Sequence, residues 1–99
     1  MKDRLTKAER EQELPSLISS DWQMVEDRDA ITKTFRFGDF LTAVKWMQQV
    51  AIFADKWDHH PEWCNVYNRV VVTLTSHDVN GVTFRDIRLA KKMDALATG

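Results

Sequence analysis

Residues 58–63 read DHHPEW and hold two of the three histidines in the chain. Histidine is the side chain whose ordinary pKa lies nearest neutral pH, so clustered histidines suit proton transfer. A solvated junction is the commoner origin of two adjacent histidines. Here, however, Pro61 biases His60 toward extended backbone, so the rings of His59 and His60 should point in different directions. His77, in the segment 75–78 that reads TSHD, becomes relevant only if folding brings it close.

Hydrophobic periodicity indicates the elements that position these segments. Alternation from 31 to 37 predicts a strand paired with a shorter one at 22–26. The β-branched run at 70–74 predicts a strand joined to another at 64–67 through a turn at Asn68 and Arg69. Between the two pairs, spacings of three and four residues predict a long helix after the N-cap Asp39, with an apolar stripe of Phe40, Ala43, Val44, Met47, Val50, Ala51 and Ala54.

The pairing of strands 64–67 and 70–74 decides whether the histidines meet. In a tight hairpin the start of one strand lies beside the end of the other. We therefore expect His59, His60 and His77 to converge at one edge of the sheet.

The chain ends carry further helix signals. Thr6 and Glu9 have the spacing of a capping box that opens a first helix, which Pro15 is expected to end or kink. Thr83 and Asp86 have similar spacing before a last helix, and Gly81 is free to take a positive φ in the preceding turn. The element order predicts an α+β fold: an αββαββα two-layer sandwich, with a four-stranded antiparallel sheet packed against helices, in a single domain at 1–99.

A second apolar row lies on the long helix and comprises Trp46, Phe53 and Trp57. A helix that is apolar on two sides needs a second cover. Two covers remain open at this point: the N-terminal helix and a subunit interface.

Composition excludes several classes of protein. The 99 residues carry a net charge of -1, which provides no basic field for direct binding of nucleic acid. No apolar run approaches the length of a membrane span, and the N-terminus lacks the apolar core of a signal peptide. The single cysteine, Cys64, fits a reducing compartment, so a cytoplasmic location without membrane contact is expected.

Other site chemistries are weaker candidates. His59, His60, Cys64 and His77 are all possible zinc ligands, but the chain has no C-x-x-C or H-E-x-x-H pair, so no metal is expected. Cys64 is expected to be a partly buried, inert thiol. Ser76 is an unlikely nucleophile, because sequence neighbours rarely form a nucleophile–base pair.

The remaining polar and aromatic residues near the histidines have simple interpretations. Glu62 is most simply a solvated charge. Trp63 either lines a ligand pocket or fills the core, and core filling is the commoner role of a tryptophan. Asp55 lies four residues before His59 and could extend toward it.

The chain resembles the pterin-4a-carbinolamine dehydratase family over nearly its whole length. The similarity rests on DHHPEW at 58–63, NVYN at 65–68, LTSH at 74–77, and on Gly81 and Asp86. It extends upstream through the apolar helix to the GDF segment at 38–40, where that helix starts, and to Trp22. The chain departs from the family pattern at three positions: Asp55 is one methylene shorter than the expected glutamate, Cys64 replaces an aromatic residue, and Asp78 replaces a longer acid.

The resemblance implies the αββαββα fold and a reaction. The reaction removes water from 4a-hydroxytetrahydrobiopterin, a pterin-4a-carbinolamine, to give quinonoid dihydrobiopterin, and so recycles the cofactor of aromatic amino acid hydroxylases. The pterin is the substrate, and no further cofactor is implied. The implied catalytic residues are His59, His60 and His77; the implied substrate-binding residues are these three with Asp58, Thr75, Ser76 and Asp78; and the supporting residues are Asp55, Pro61, Trp63 and Asp86.

Particular roles follow as hypotheses. His60 and His77 share the acid and base roles, and His59 holds or polarises the pterin. Asp58 binds the pterin, and Asp86 or Asp55 orients an imidazole.

The resemblance also implies a second kind of function. Animal members of the family act as dimerisation cofactors of a homeodomain transcription factor. The alternative is therefore a protein-binding transcriptional coactivator acting through the long helix, with a nuclear pool beside the cytoplasmic one. Family precedent further implies a homodimer or homotetramer, with a transcription factor or an aromatic amino acid hydroxylase as partner.

Overall fold

The structure is a computed structural model that describes residues 3–98. Met1, Lys2 and Gly99, which belong to the predicted domain 1–99, lie outside the described residues. No helix within the described part of the chain is long and apolar enough to cross a membrane. The observed order confirms the predicted αββαββα arrangement: α1 Lys7–Ser19, β1 Gln23–Met24, β2 Ile31–Arg36, α2 Phe40–Lys56, β3 Glu62–Val66, β4 Arg69–Leu74 and α3 Phe84–Thr98.

The four strands form one antiparallel sheet in the order β1-β2-β4-β3. Residues paired directly across antiparallel strands share a face of the sheet. One face carries the buried core side chains, and the opposite face is exposed at Thr34 and Val71. The result is the predicted two-layer sandwich, in which the core face bears Ile31, Phe35, Val70, Val72 and Leu74.

Two of the predicted strands have different bounds. The strand predicted at 22–26 is reduced to β1, because Trp22 turns into the core and its indole N–H donates to Asp94 Oδ2 at 3.0 Å. The β3–β4 turn lies one residue earlier than predicted, at Tyr67 and Asn68, and Tyr67 has a φ of 52°. The Asn65 side-chain amide fixes this turn by donating to two backbone carbonyls, at 3.1 and 2.9 Å.

The cysteine on β3 also differs from expectation. Cys64 pairs with Val71 on the open face of the sheet and is exposed. The expectation of a partly buried thiol is therefore wrong, because the strand register turns this position away from the helices.

The second apolar row of α2 is covered by α3. Trp46 is buried, and its indole N–H donates to a backbone carbonyl of α3 at 3.2 Å. The Lys92 ammonium lies 4.3 Å from the centre of the Phe53 ring, and the Arg88 guanidinium lies 3.7 Å from that of Trp57. The cover within the chain is therefore α3 and not the N-terminal helix, while Phe53 and Trp57 remain partly exposed, so the subunit interface stays a prediction.

The first helix begins as predicted but continues past its proline. Glu9 N–H donates to Thr6 Oγ1 at 3.1 Å, and Thr6 N–H donates to Glu9 Oε1 at 2.8 Å, which completes the capping box. Pro15 nevertheless lies inside α1, so of the two predicted outcomes the end of the helix is wrong, and the kink stays a prediction. The carbonyl left without a donor belongs to Glu11, which is exposed, so water can satisfy it.

The loop that carries His77 is closed at its base by Ser76 and Gly81. Ser76 N–H donates to the Gly81 carbonyl at 2.9 Å, and Gly81 N–H donates back at 3.3 Å. The positive φ in this loop belongs to Asn80, at 51°, so Gly81 does not use its freedom to take one. Glycine is needed for space, because a Cβ at Gly81 would clash with Asp29 Oδ2 and lie 2.6 Å from Arg4 Cγ.

We expect Gly81→Ala to lower the free energy of unfolding by about 1–3 kcal/mol through overpacking. Arg4 is long and can move, but the Asp29 carboxylate is held by both Arg10 nitrogens at 2.8 Å and by Val82 N–H at 3.2 Å. Chemical denaturation monitored by circular dichroism measures the change. The control is Gly38→Ala, where an added Cβ meets nothing within 4 Å. Equal stability of the two variants would contradict the close-approach explanation.

Candidate active site

The end of α2 directs the histidine pair toward the sheet. Asp58 has a φ of 49°, and its N–H donates to the Asp55 carbonyl at 3.2 Å. His59 N–H donates to the Ala54 carbonyl at 2.9 Å. These bonds form a Schellman motif, which stops the helix and reverses the chain. His59 thereby becomes buried while His60 stays exposed, so the two rings point in different directions, as predicted.

All three histidines line one cavity of about 380 Å³ at this end of the sheet. The β3–β4 hairpin pairs Glu62 with Thr73, which places the start of β3 beside the end of β4. The convergence expected from strand pairing is therefore present. The lining residues are Asp58, His59, His60, Pro61, Thr75, His77, Asp78 and Arg85.

His59 is anchored by a fully buried carboxylate. Its Nε2 lies 2.6 Å from Asp86 Oδ1, and Asp86 has no exposed surface. Because an ionised carboxylate only accepts hydrogen bonds, this contact requires the proton on Nε2. Nδ1 is then the ring nitrogen left free for a ligand.

Ser76 and Thr83 hold Asp86 in place beneath the cavity. Asp86 Oδ2 accepts from Ser76 Oγ and from Thr83 N–H, both at 2.9 Å. Ser76 is 1% exposed and does not line the cavity, unlike its neighbours Thr75 and His77. Thr83 and Asp86 complete only half of the expected capping box, because Thr83 Oγ1 accepts from Arg85 N–H instead of from Asp86 N–H.

His77 meets a second carboxylate, that of Glu62. His77 Nε2 lies 2.7 Å from Glu62 Oε2, and both oxygens of Glu62 accept from the Arg28 guanidinium at 2.8 Å. Arg28 and then His77 lower the pKa of Glu62 from 4.5 to about 2. Glu62 is partly exposed to solvent, as interpreted from the sequence, but it is also ion-paired, because the register of β3 places it between these two partners.

His60 has the weakest carboxylate partner of the three histidines. Its Nε2 lies 3.4 Å from Asp55 Oδ1, and the Asp55 side chain is 89% exposed. Asp55 thus approaches His60 and not His59, because the chain reverses at Asp58. The missing methylene relative to glutamate fits the long distance.

A larger, mainly apolar cavity of about 580 Å³ adjoins the first at His60 and Pro61. Asp55 and Trp63 line it, and the Trp63 ring also lies 6.3 Å from that of Trp46 in the core. Trp63 therefore both fills the core and faces a cavity. The smaller cavity is the better candidate for acid–base chemistry because it contains all three imidazoles.

Arg85 is a cavity residue that sequence patterns do not indicate. Its Nη2 donates to Asp78 Oδ1 at 2.8 Å, and this bond is the main reason that the pKa of Asp78 lies below its ordinary value. Arg85 follows Asp78 by seven residues with no recognisable spacing rule. Arg28 is likewise distant in sequence from Glu62, so only the folded chain reveals either pair.

Comparison with known proteins is consistent with this arrangement. The family model described as pterin 4 alpha carbinolamine dehydratase matches residues 3–96. A Dinoroseobacter shibae protein is 55% identical over 97 residues, covering 98% of this chain and 100% of the relative. That relative is named as a pterin-4-alpha-carbinolamine dehydratase, a name that is itself provisional.

Solved structures share the fold. A crystal structure described as a transcriptional coactivator/pterin dehydratase from Brucella melitensis has a TM-score of 0.89 and 53% identity, covering 95% of this chain and 98% of that one. A pterin dehydratase-like protein identified as a RuBisCO assembly factor in the alpha-carboxysome has a TM-score of 0.67 and 21% identity, and covers 77% and 88%. The latter similarity concerns the fold alone. Together, the matched family model and the close relatives establish that the chain belongs to the pterin 4 alpha carbinolamine dehydratase family.

Proposed function

We propose that this chain is a hydro-lyase that dehydrates 4a-hydroxytetrahydropterins by histidine acid–base catalysis. The observation that carries the proposal is the convergence of His59, His60 and His77 on one cavity. Two of the three imidazoles have Nε2 within 2.7 Å of a carboxylate oxygen, which fixes the ring orientation. Membership of the dehydratase family supports the substrate class.

The proposed reaction needs one acid and one base. The acid protonates the hydroxyl at C4a, and the C–O bond breaks with its electron pair leaving on water. The lone pair of the adjacent ring nitrogen forms the new C=N bond, and the base removes the proton from the ring system. Imidazole can perform either step near neutral pH, and a positioned group typically contributes about 10²–10⁴-fold.

The residues divide the work according to their positions. We assign the acid and base roles jointly to His60 and His77, which are the exposed pair at the cavity. His59, fixed by Asp86, presents Nδ1 to hold or polarise the pterin. Asp58, Thr75 and Asp78 line the same cavity and supply hydrogen-bond partners, whereas Ser76 acts from below through Asp86.

The chemistry calls for no resident cofactor, because the pterin itself provides the electron pair that expels water. Within residues 3–98, no group of three or more His, Cys, Asp or Glu side chains is arranged to hold a metal ion. A cytoplasmic hydro-lyase of this kind would return the pterin cofactor of aromatic amino acid hydroxylases to use.

A spectrophotometric dehydration assay with 4a-hydroxytetrahydropterin generated in situ tests the proposal. We expect the purified chain to accelerate dehydration over buffer with saturation in substrate. A rate equal to that in buffer would reject the dehydratase function.

A second candidate is a protein-binding coactivator that acts through α2. The observation in its favour is a set of exposed apolar side chains on α2: Phe40 at 49%, Leu41 at 59% and Ile52 at 66%. The Brucella melitensis relative is described as both a coactivator and a dehydratase. An inactive protein that still forms a stable homodimer or homotetramer by light scattering would favour this function.

A further inference from the structure

We propose that Glu62 is a positioning residue for His77 and that Arg28 in turn locks Glu62, an inference that rests on the proposed dehydratase function. Arg28 belongs to the turn between β1 and β2, Glu62 begins β3, and His77 lies in the loop after β4. These three separate segments form one continuous chain of hydrogen bonds that ends on a histidine lining the cavity.

The contacts orient the Glu62 carboxylate toward His77. Arg28 donates through two nitrogens, one to each oxygen, which fixes the carboxylate plane. Oε2 then accepts from His77 Nε2 at 2.7 Å. Because the carboxylate is acceptor-only, His77 must carry its proton on Nε2, and Nδ1 is the nitrogen left to contact the substrate.

The turn that carries Arg28 is itself held on both sides. The neighbouring Asp29 accepts from Arg10 at 2.8 Å, and its backbone carbonyl accepts from Thr75 Oγ1 at 2.8 Å. Thr75 lines the same cavity as His77. The backbone next to Arg28 is therefore fixed against the site, which restricts the positions from which Arg28 can bind Glu62.

The charge on Glu62 persists into strong acid. Its pKa of about 2 lies below the ordinary 4.5, chiefly because of Arg28. The ion pairing therefore stabilises the folded site above pH 4.5, and this stabilisation is lost as the pH falls toward 2. In Arg28→Ala we expect the Glu62 carboxyl titration, followed by carbon NMR, to move upward toward 4.5, while Arg28→Lys should shift it less.

The decisive comparison is between Glu62→Gln and wild-type protein. We expect kcat to fall about 10-fold with KM little changed. This loss is at the low end of the range for an outer hydrogen-bond partner, because the His77–Glu62 pair is solvent-exposed. Long-range nitrogen NMR should show neutral His77 as a single Nε2–H tautomer in the wild type and as an averaged mixture in the variant. Glu62→Asp, which keeps the charge but shortens the reach, should lose nearly as much activity.

Glu13→Gln serves as the matched control, because Glu13 pairs with Lys91 at 3.4 Å and neither residue lines the histidine cavity. An unchanged kcat together with an unchanged His77 tautomer in Glu62→Gln would overturn the inference. If the wild type proved inactive, the proposed function would fail, whereas the tautomer measurement would still decide whether Glu62 positions His77.

Discussion

Replacing His77 with alanine is expected to lower kcat for carbinolamine dehydration by about 10²- to 10⁴-fold. The imidazole lines the cavity and is one of the two groups assigned to proton transfer. Its side chain is 66% exposed, so the substitution should change the free energy of unfolding by no more than about 0.5 kcal/mol. Steady-state kinetics and thermal unfolding separate these two effects.

His77→Gln is the informative companion variant. Glutamine can still hydrogen-bond to Glu62, but it cannot exchange a proton near neutral pH. We expect a loss as large as that of the alanine variant. If His77→Ala stayed within a few-fold of wild type, the assignment of His77 to proton transfer would be wrong; activity retained in His77→Gln alone would make its role one of binding.

The second large effect is expected from Asp86→Asn, with a loss in kcat/KM of about 10²-fold. Asp86 Oδ2 accepts from Ser76 and Thr83, so the amide oxygen of asparagine must take that place. The amide NH₂ then faces His59 Nε2, which must become an acceptor and move its proton to Nδ1. A wrong tautomer behind a site histidine typically costs 10²-fold or more.

Asp86→Ala provides the contrast in stability. It leaves the buried donors from His59, Ser76 and Thr83 without an acceptor, and we expect it to lose about 3–5 kcal/mol in unfolding free energy. Urea denaturation gives this difference, and nitrogen NMR reports the His59 tautomer in Asp86→Asn. A fully active asparagine variant whose His59 keeps its proton on Nε2 would refute the proposed anchoring.

The sequence predicts where the histidines lie, but it does not predict which side chains bind them. Strand pairing alone places His59 and His77 near each other, because antiparallel register follows from the short β3–β4 turn. The ion pair of Glu62 was not predicted, because its partner Arg28 is 34 residues away. No local pattern encodes a contact of that separation.

The packing of α3 against α2 was also not predictable from the sequence. Periodicity identifies Trp46, Phe53 and Trp57 as apolar, but it does not specify which element covers them. The covering residues on α3 include Arg88 and Lys92, whose cationic groups lie over aromatic rings. Charged residues on a helix are normally predicted to face solvent. Their packing over aromatic rings of another helix is therefore seen only in the folded structure.

Space requirements explain a third difference. Gly81 looks like a turn glycine in the sequence, yet the positive φ falls on Asn80. Glycine is required at 81 because Asp29 and Arg4 approach it from remote parts of the chain. Local turn rules cannot anticipate a long-range steric limit.

The most direct test of the central claim compares wild-type protein with a variant in which His59, His60 and His77 are all replaced by glutamine, in one dehydration assay. Circular dichroism first establishes that the variant is folded. We predict saturable acceleration by the wild type and a rate equal to that in buffer for the variant. A folded triple variant as active as the wild type would show that the histidine cavity is not where the reaction takes place.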